Sequence, residues 1–183
     1  MAVLGVTPAG DATFTEDALR EQHAIVLGLA ETIDPLLPVR FGTRMSADRV
    51  QSTVLQSLPV LTNALENVRG RRQMTLRLIG VPIVDQPPAA SDSGATYLQQ
   101  RRAAYSVPSE LEPVLAAVTR FVVEERLSPG RAGVRSTVFH LVERAAVASY
   151  REAVQRAMKG MPAGSVTISG PWPPFAFAPE LPG

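Results

Sequence analysis

Sixteen prolines are spread through the 183 residues of this chain, so no stretch of backbone can stay regular for long. Each proline fixes φ, lacks an amide hydrogen and pushes the residue before it away from helical geometry, which makes it punctuation for the segments on either side. Between these stops the apolar residues keep two rhythms. Steps of four and three link Leu19, His23, Val26, Ala30 and Ile33, predicting a helix that starts at the capping-box pair Thr13 and Glu16 and ends before Pro35. The same steps link Val50, Val54, Leu58, Leu61, Leu65 and Val68 after an N-cap at Ser46, and Pro59 is expected to kink or divide that helix. Leu111, Leu115, Val118 and Val122 predict another, with Ser109 and Glu112 at capping-box spacing, ended by Pro129 and Gly130. Ala146, Tyr150, Val154, Ala157 and Met161 predict the last, stopped by Gly160 and Pro162, and a short helix is expected over residues 94–106.

Alternation predicts strands at residues 2–6, 36–42, 74–79, 134–142 and 166–168. In the second, Leu37, Val39 and Phe41 share one face and Arg40 takes the other. In the fourth, Phe139 and Leu141 oppose Val138, His140 and Val142, so both faces read as covered. Residues 83–94, IVDQPPAASDSG, have linker composition and mark the main division, giving units at 1–82 and 94–183 with a linker or loop at 83–93. The segment after residue 169, GPWPPFAFAPELPG, is too rich in proline for either regular element. The element order lacks the βα repetition of a doubly wound sheet, which predicts an α+β fold with helices packed on small sheets.

Composition removes several function classes. The chain has no cysteine, hence no disulfide, thiolate nucleophile or cysteine-ligated zinc. Its two histidines, His23 and His140, form no HExxH pattern, and the Walker loop, GxGxxG turn and GxSxG elbow are absent. No catalytic residue, metal or cofactor is therefore assigned. Each histidine is read as a core residue holding a hydrogen bond. A net charge of +1, from 18 basic and 17 acidic residues, gives no field to gather nucleic acid. No apolar run approaches the ~20 residues of a membrane span, and residues 1–12 lack a signal-peptide pattern, so the expected compartment is the cytoplasm. Arg69, Arg71 and Arg72, and separately Arg101 and Arg102, form basic clusters read as solvated helix ends. Pro171, Pro173 and Pro174 pre-order the backbone around Trp172, Phe175 and Phe177. That segment is read as lacing the C-terminus onto the core with Trp172 as plug, the alternative being direct contact with a partner.

Three motifs in order, LPVRFGT at 37–43, SGATYLQQRR at 93–102 and GPWPPFAF at 170–177, resemble the gas vesicle accessory proteins of the F/L family. The resemblance extends over residues 17–178 and includes His23, the VFHLVER strand and the helix bearing Tyr150. It implies a cytoplasmic accessory factor associated with gas vesicles, which binds the small hydrophobic shell protein during assembly in a chaperone or nucleation role and is not an enzyme. The implied partners are that shell protein and other vesicle accessory proteins, with no nucleic acid and no membrane. The implied fold is a ferredoxin-like domain over residues 1–82 and a second small α+β domain with a helical pair and a proline/aromatic tail. Residues 1–12 stand in place of a longer N-terminus, so the first sheet is expected to be incomplete. Gln73 stands where the family commonly has glutamate, and Phe175 where it has tyrosine.

On this reading Arg40, Phe41, Arg77, Trp172 and Phe175 contact the partner, while Gly42, Pro171, Pro173 and Pro174 hold the framework. An edge strand at 2–6 and the arginines Arg40 and Arg77 would capture an amphipathic shell segment by strand addition and charge pairing. The rival is a small-molecule-binding or enzymatic domain on the same scaffold, with His23, Arg40 and the arginine clusters around an anionic ligand. A deep pocket joining His23 to Arg40 would favour it. A subunit of the vesicle wall is disfavoured by the polar helix faces.

Overall fold

Alternation over one strand organises the molecule. In the computed structural model, which describes residues 15–80 and 106–180, β1 (Arg71–Ile79) buries Met74, Leu76 and Leu78 on one side and Gln73 and Thr75 on the other. A strand covered on both faces belongs inside a sheet. β1 accordingly pairs with β3 (Val134–Glu143) on one flank and β4 (Val166–Trp172) on the other, and β2 (Val122–Pro129) adds to the far edge of β3. The order is β2-β3-β1-β4 with every neighbouring pair antiparallel. Leu76 faces Val138 across one ladder and Ile168 across the other.

Two helices seal the first face. Leu111, Val114 and Val118, at the start of and within α4 (Glu112–Val118), pack with Tyr150, Ala153 and Val154 of α5 (Val147–Met158) onto Met74, Leu76, Val138 and Val142. Each large side chain so buried stabilises the fold by about 1.5–3 kcal/mol. Among the described residues the elements from residue 71 to 172 run β1, α4, β2, β3, α5 and β4 in chain order. The sequence reading placed one unit, ferredoxin-like, within 1–82 and a second α+β unit at 94–183. β1 precedes the 83–93 stretch, while its partners β3 and β4, and β2 beyond β3, follow it, because antiparallel ladders join segments by register whatever their separation in sequence. The linker itself, the strand expected at 2–6 and the SGATYLQQRR helix all lie outside the described residues.

The N-terminal helices follow the predicted rhythm. α1 (Glu16–Thr32) is capped by Thr15, whose hydroxyl accepts from the Ala18 amide at 3.2 Å, rather than by Thr13. Ser46 caps α2 (Ala47–Gln56), accepting from Arg49 N at 3.3 Å. Pro59 divides the run as expected: it sits in the first turn of α3 (Leu58–Val68), where a missing amide hydrogen breaks no helical bond. No helix among the described residues is long and apolar enough to cross a membrane.

Four readings are corrected. Residues 36–42 form no strand: Pro35 and Pro38 remove two donors, and the Arg40 carbonyl accepts from the Thr43 amide and hydroxyl in a turn with Gly42 at φ 80. The helix expected to run to Pro129 stops at Val118, and the chain becomes the edge strand β2. There Leu127 pairs with Val138, and Gly130 lies so close to the Val134 carbonyl that a Cβ would stand 1.7 Å from it. The Ser109/Glu112 capping box is replaced by a tight 3-10 turn, Ser109–Leu111, with Leu111 N donating to Pro108 O at 2.9 Å. Finally, Gly170, Pro171 and Trp172 belong to β4, since Pro171 lies on the sheet edge where it forfeits no ladder bond.

Candidate functional site: a cleft on the second face of the sheet

The second face presents Gln73, Thr75 and Arg77 of β1, Phe139 and Leu141 of β3, and Ser169 of β4. Part of it is closed by Val68 from α3, Leu37 from the proline-rich crossing and Phe177 from the tail, which pack with Leu141 and Phe139. Phe177, 2% exposed, is the plug that Trp172 was expected to be. Several contacts hold the tail in place. Gln73 Oε1 accepts from Ala176 N at 2.7 Å, Arg126 Nη1 donates to Ala176 O at 2.7 Å, and the Arg126 guanidinium lies 5.1 Å above the Phe177 ring. Arg151 donates to the Gly170 carbonyl. Gly170 itself adopts φ 112 with its α-carbon pressed on the sheet: a Cβ there would stand 2.7 Å from Gln73 O. That position therefore has to be glycine.

Anchoring at residues 170 and 176–177 leaves Trp172 and Phe175 half-buried and turned toward α1. The His23 ring lies 5.3 Å from Trp172 and 5.7 Å from Phe175, stacked on the latter with 23° between planes. Val39 and Phe41 also line the space beside them. Together these elements enclose a cleft of about 400 Å³ over the open part of the sheet, floored by Thr75, Arg77, Phe139 and Ser169. Arg77 Nη1 and Trp172 Nε1 both donate to Ser169 Oγ at 3.3 Å. The walls are apolar and aromatic, and among the described residues lining the cleft Arg77 is the one arginine and no carboxylate is present.

A family model described as gas vesicle synthesis protein GvpL/GvpF matches residues 2–179. The chain belongs to the GvpL/GvpF family. Its fold is similar to the crystal structure of the gas vesicle protein GvpF from Anabaena sp. PCC7120, with 12% identity, TM-score 0.68, and coverage of 95% of this chain and 82% of that one. It is also similar to GvpF from Microcystis aeruginosa, with 12% identity, TM-score 0.66, and coverage of 92% and 81%. No curated protein matches it.

In this GvpL/GvpF member the structure gathers Phe41, Arg77, Trp172 and Phe175 into one site. Arg40 stands exposed on the rim between Val39 and Phe41 and is not part of the lining. Gly42 makes the turn, Pro173 and Pro174 are buried beneath the tail, and Pro171 is exposed. Sequence reasoning placed His23 in the rival ligand-binding reading and not among the partner contacts; in the structure it lines the cleft with them. It has no hydrogen-bond partner among the described residues and is held by ring stacking instead. In the structure its stripe on α1 begins with Leu19, which is 48% exposed, so that stripe is not wholly committed to a core.

His140 is a core histidine as read, on the sealed face. Its Nδ1 lies 2.7 Å from the Tyr150 hydroxyl and its Nε2 2.8 Å from Glu125 Oε2. Burial holds the imidazole below its ordinary range against the opposing pull of Glu125, and burial likewise pushes the Tyr150 phenol up. The sheet separates the two histidines, so they form no pair. Arg71 binds Glu143 at 2.8 Å, Arg144 binds Asp34 at 3.1 Å, and Arg72 reaches the Ala30 carbonyl at 3.2 Å. Desolvation, then Arg144, lowers the Arg72 pKa, while Asp34 opposes the shift. Arg71 and Arg72 are thus tied into the fold rather than being solvated helix ends. Arg101 and Arg102 lie outside the described residues, as does any grouping they form.

Proposed function

We propose that this chain serves gas vesicle assembly by holding the hydrophobic shell protein in the cleft between α1, the LPVRFGT segment and the GPWPPFAF tail. One observation carries the reading: two of the three motifs that resemble the family are far apart in sequence yet line a single, largely apolar cleft. Phe41, Trp172 and Phe175 supply rigid apolar area, and only a few of their torsions need be fixed on binding. Arg77 from the floor and Arg40 from the rim supply the cations. The role is that of a cytoplasmic, vesicle-associated binding factor, chaperone-like or nucleating. The strand-addition route expected at residues 2–6 lies outside the described residues, so the cleft carries the proposal.

Co-expression with the shell protein tests it. Capture of the shell protein by the tagged chain should fall in Phe41→Ala/Trp172→Ala and in Arg40→Glu/Arg77→Glu, with solubility of the variants unchanged. Undiminished capture by both variants would remove this surface from the function.

The cleft volume favours one second reading, because about 400 Å³ falls in the range of small-molecule sites. Against an anionic-ligand site built from His23, Arg40 and the arginine clusters stands the lining among the described residues: Arg40 is on the rim, and Arg69, Arg71 and Arg72 are absent from it. A small molecule co-purifying with the chain, detected by native mass spectrometry and lost in Trp172→Ala, would support this alternative.

A further inference from the structure

The hydrogen-bond inventory of the cleft floor defines what the occupant must bring. Ser169 Oγ already accepts twice, from Arg77 Nη1 and Trp172 Nε1, which uses both lone pairs and leaves its own O–H as the remaining polar function. Thr75, 2% exposed, accepts from Gln73 Nε2 at 3.2 Å, and among the described residues its O–H has no acceptor. The Gln73 carbonyl oxygen is occupied by the Ala176 amide. Arg77 spends one N–H on Ser169 and, among the described residues, keeps the others. Ser169, Thr75 and Arg77 are therefore all left as donors, one of them cationic, and no carboxylate among the described residues lines the cleft to answer them. Gln22 and His23, which can donate or accept, sit on the α1 wall. Above the floor the surface is hydrocarbon and aromatic.

We infer that the cleft recognises a carboxylate-bearing side chain set beside a large apolar residue of the bound segment, the carboxylate seated on Arg77, Ser169 and Thr75 and the apolar group between Phe41 and Trp172. The inference rests on the cleft being the shell-protein site and adds which part of the partner it reads. A purely hydrophobic segment would desolvate the Arg77 and Ser169 donors, and leave the already buried Thr75 hydroxyl, without an acceptor, and an amide in place of the carboxylate would forgo the charge-assisted bond. A basic segment would be repelled by Arg77. The floor thus selects an acidic-apolar pair from an otherwise sticky chain.

The test is a double-mutant cycle in the co-expression system, using full-length chains. Each Asp and Glu of the shell protein is changed in turn to Asn or Gln and captured by the wild-type chain, by Arg77→Gln and by Arg77→Lys. One amide exchange should weaken capture about tenfold with the wild-type chain and have little further effect with Arg77→Gln. Arg77→Lys should restore part of the loss, since it returns the charge without the fork. In the same assay, Arg77→Glu should regain capture when the responsible acid becomes Arg. If Phe41→Ala/Trp172→Ala abolishes capture while no acid-to-amide exchange and no Arg77 variant changes it, the carboxylate inference is overturned and the cleft still stands as an apolar site. If neither the aromatic nor the arginine variants matter, both fall together with the functional reading.

Discussion

On one face of the sheet Met74, Leu76, Val138 and Val142 are sealed beneath α4 and α5, while on the other Thr75, Arg77, Phe139 and Ser169 look into a cleft. Both sets come from one sheet, and on β1 and β3 they alternate one residue apart. The sealed face is covered by two helices whose apolar stripes match it. The other face is covered piecemeal, by one side chain from α3, one from a proline-rich crossing and a tail pinned at Gly170 and Phe177. Stability is therefore concentrated on one side and adaptable surface on the other, with β1 serving both.

The largest expected contrast is in packing. Leu76→Ala should lower unfolding free energy in urea by about 2–5 kcal/mol, and Phe41→Ala, in the half-open wall, by about 1 kcal/mol or less. Equal costs would mean the cleft wall is as much core as the sealed face. Next comes the hinge between tail and sheet. Gly170→Ala has to place a Cβ against the Gln73 carbonyl at a positive φ, at a cost of about 1–3 kcal/mol. The fluorescence anisotropy of Trp172, the only tryptophan of the chain, should fall as the tail loosens; unchanged anisotropy would show that the contacts at residues 176 and 177 suffice to hold it.

His140 sharpens the sealed side. Replacing it by Phe leaves the buried Tyr150 hydroxyl without its partner and should cost about 1–3 kcal/mol at neutral pH. Because the folded imidazole titrates below its ordinary value, the unfolded chain takes up this proton first as pH falls. That share of stability is complete above the unfolded value of about 6.5 and is lost as pH falls through the folded one. The deficit of His140→Phe relative to wild type should thus shrink in acid; a deficit that grew would show that Glu125 outweighs desolvation. The smallest thermodynamic effect belongs to Arg77→Gln, within about 0.5 kcal/mol of wild type in urea, although the same change should markedly weaken shell-protein capture. A large loss of stability would place Arg77 in the scaffold rather than in recognition.

Much of this was legible before any coordinates. The four-three rhythm located α1, α2, α3 and α5, Pro59 divided its helix, and the double alternation around Phe139 and His140 marked β3 as covered on both faces. Two signals misled for physical reasons. Val122 continued the helical rhythm of Leu115 and Val118, so β2 was hidden until its pairing with β3 was seen. Leu37, Val39 and Phe41 alternate as a strand would, yet alternation describes side chains only, and the prolines left the backbone with too few donors to pair. Within the site, Phe41, Arg77, Trp172 and Phe175 stood out by type and context. Thr75, Phe139 and Ser169 carried no signal, because an ordinary strand residue becomes floor or core according to what lies above it.

The chain's own order of residues determined where its backbone can be regular, which side chains share a face, and that its aromatic tail is stiff, since these depend on torsions and on neighbours within a few positions. Only tertiary structure decided that β1 lies between β3 and β4, that Phe177 rather than Trp172 is the plug, and that two distant motifs wall one cleft. Those outcomes come from antiparallel register and from competition for the same buried surface, and both couple residues by distance in space, which spacing along the chain does not encode.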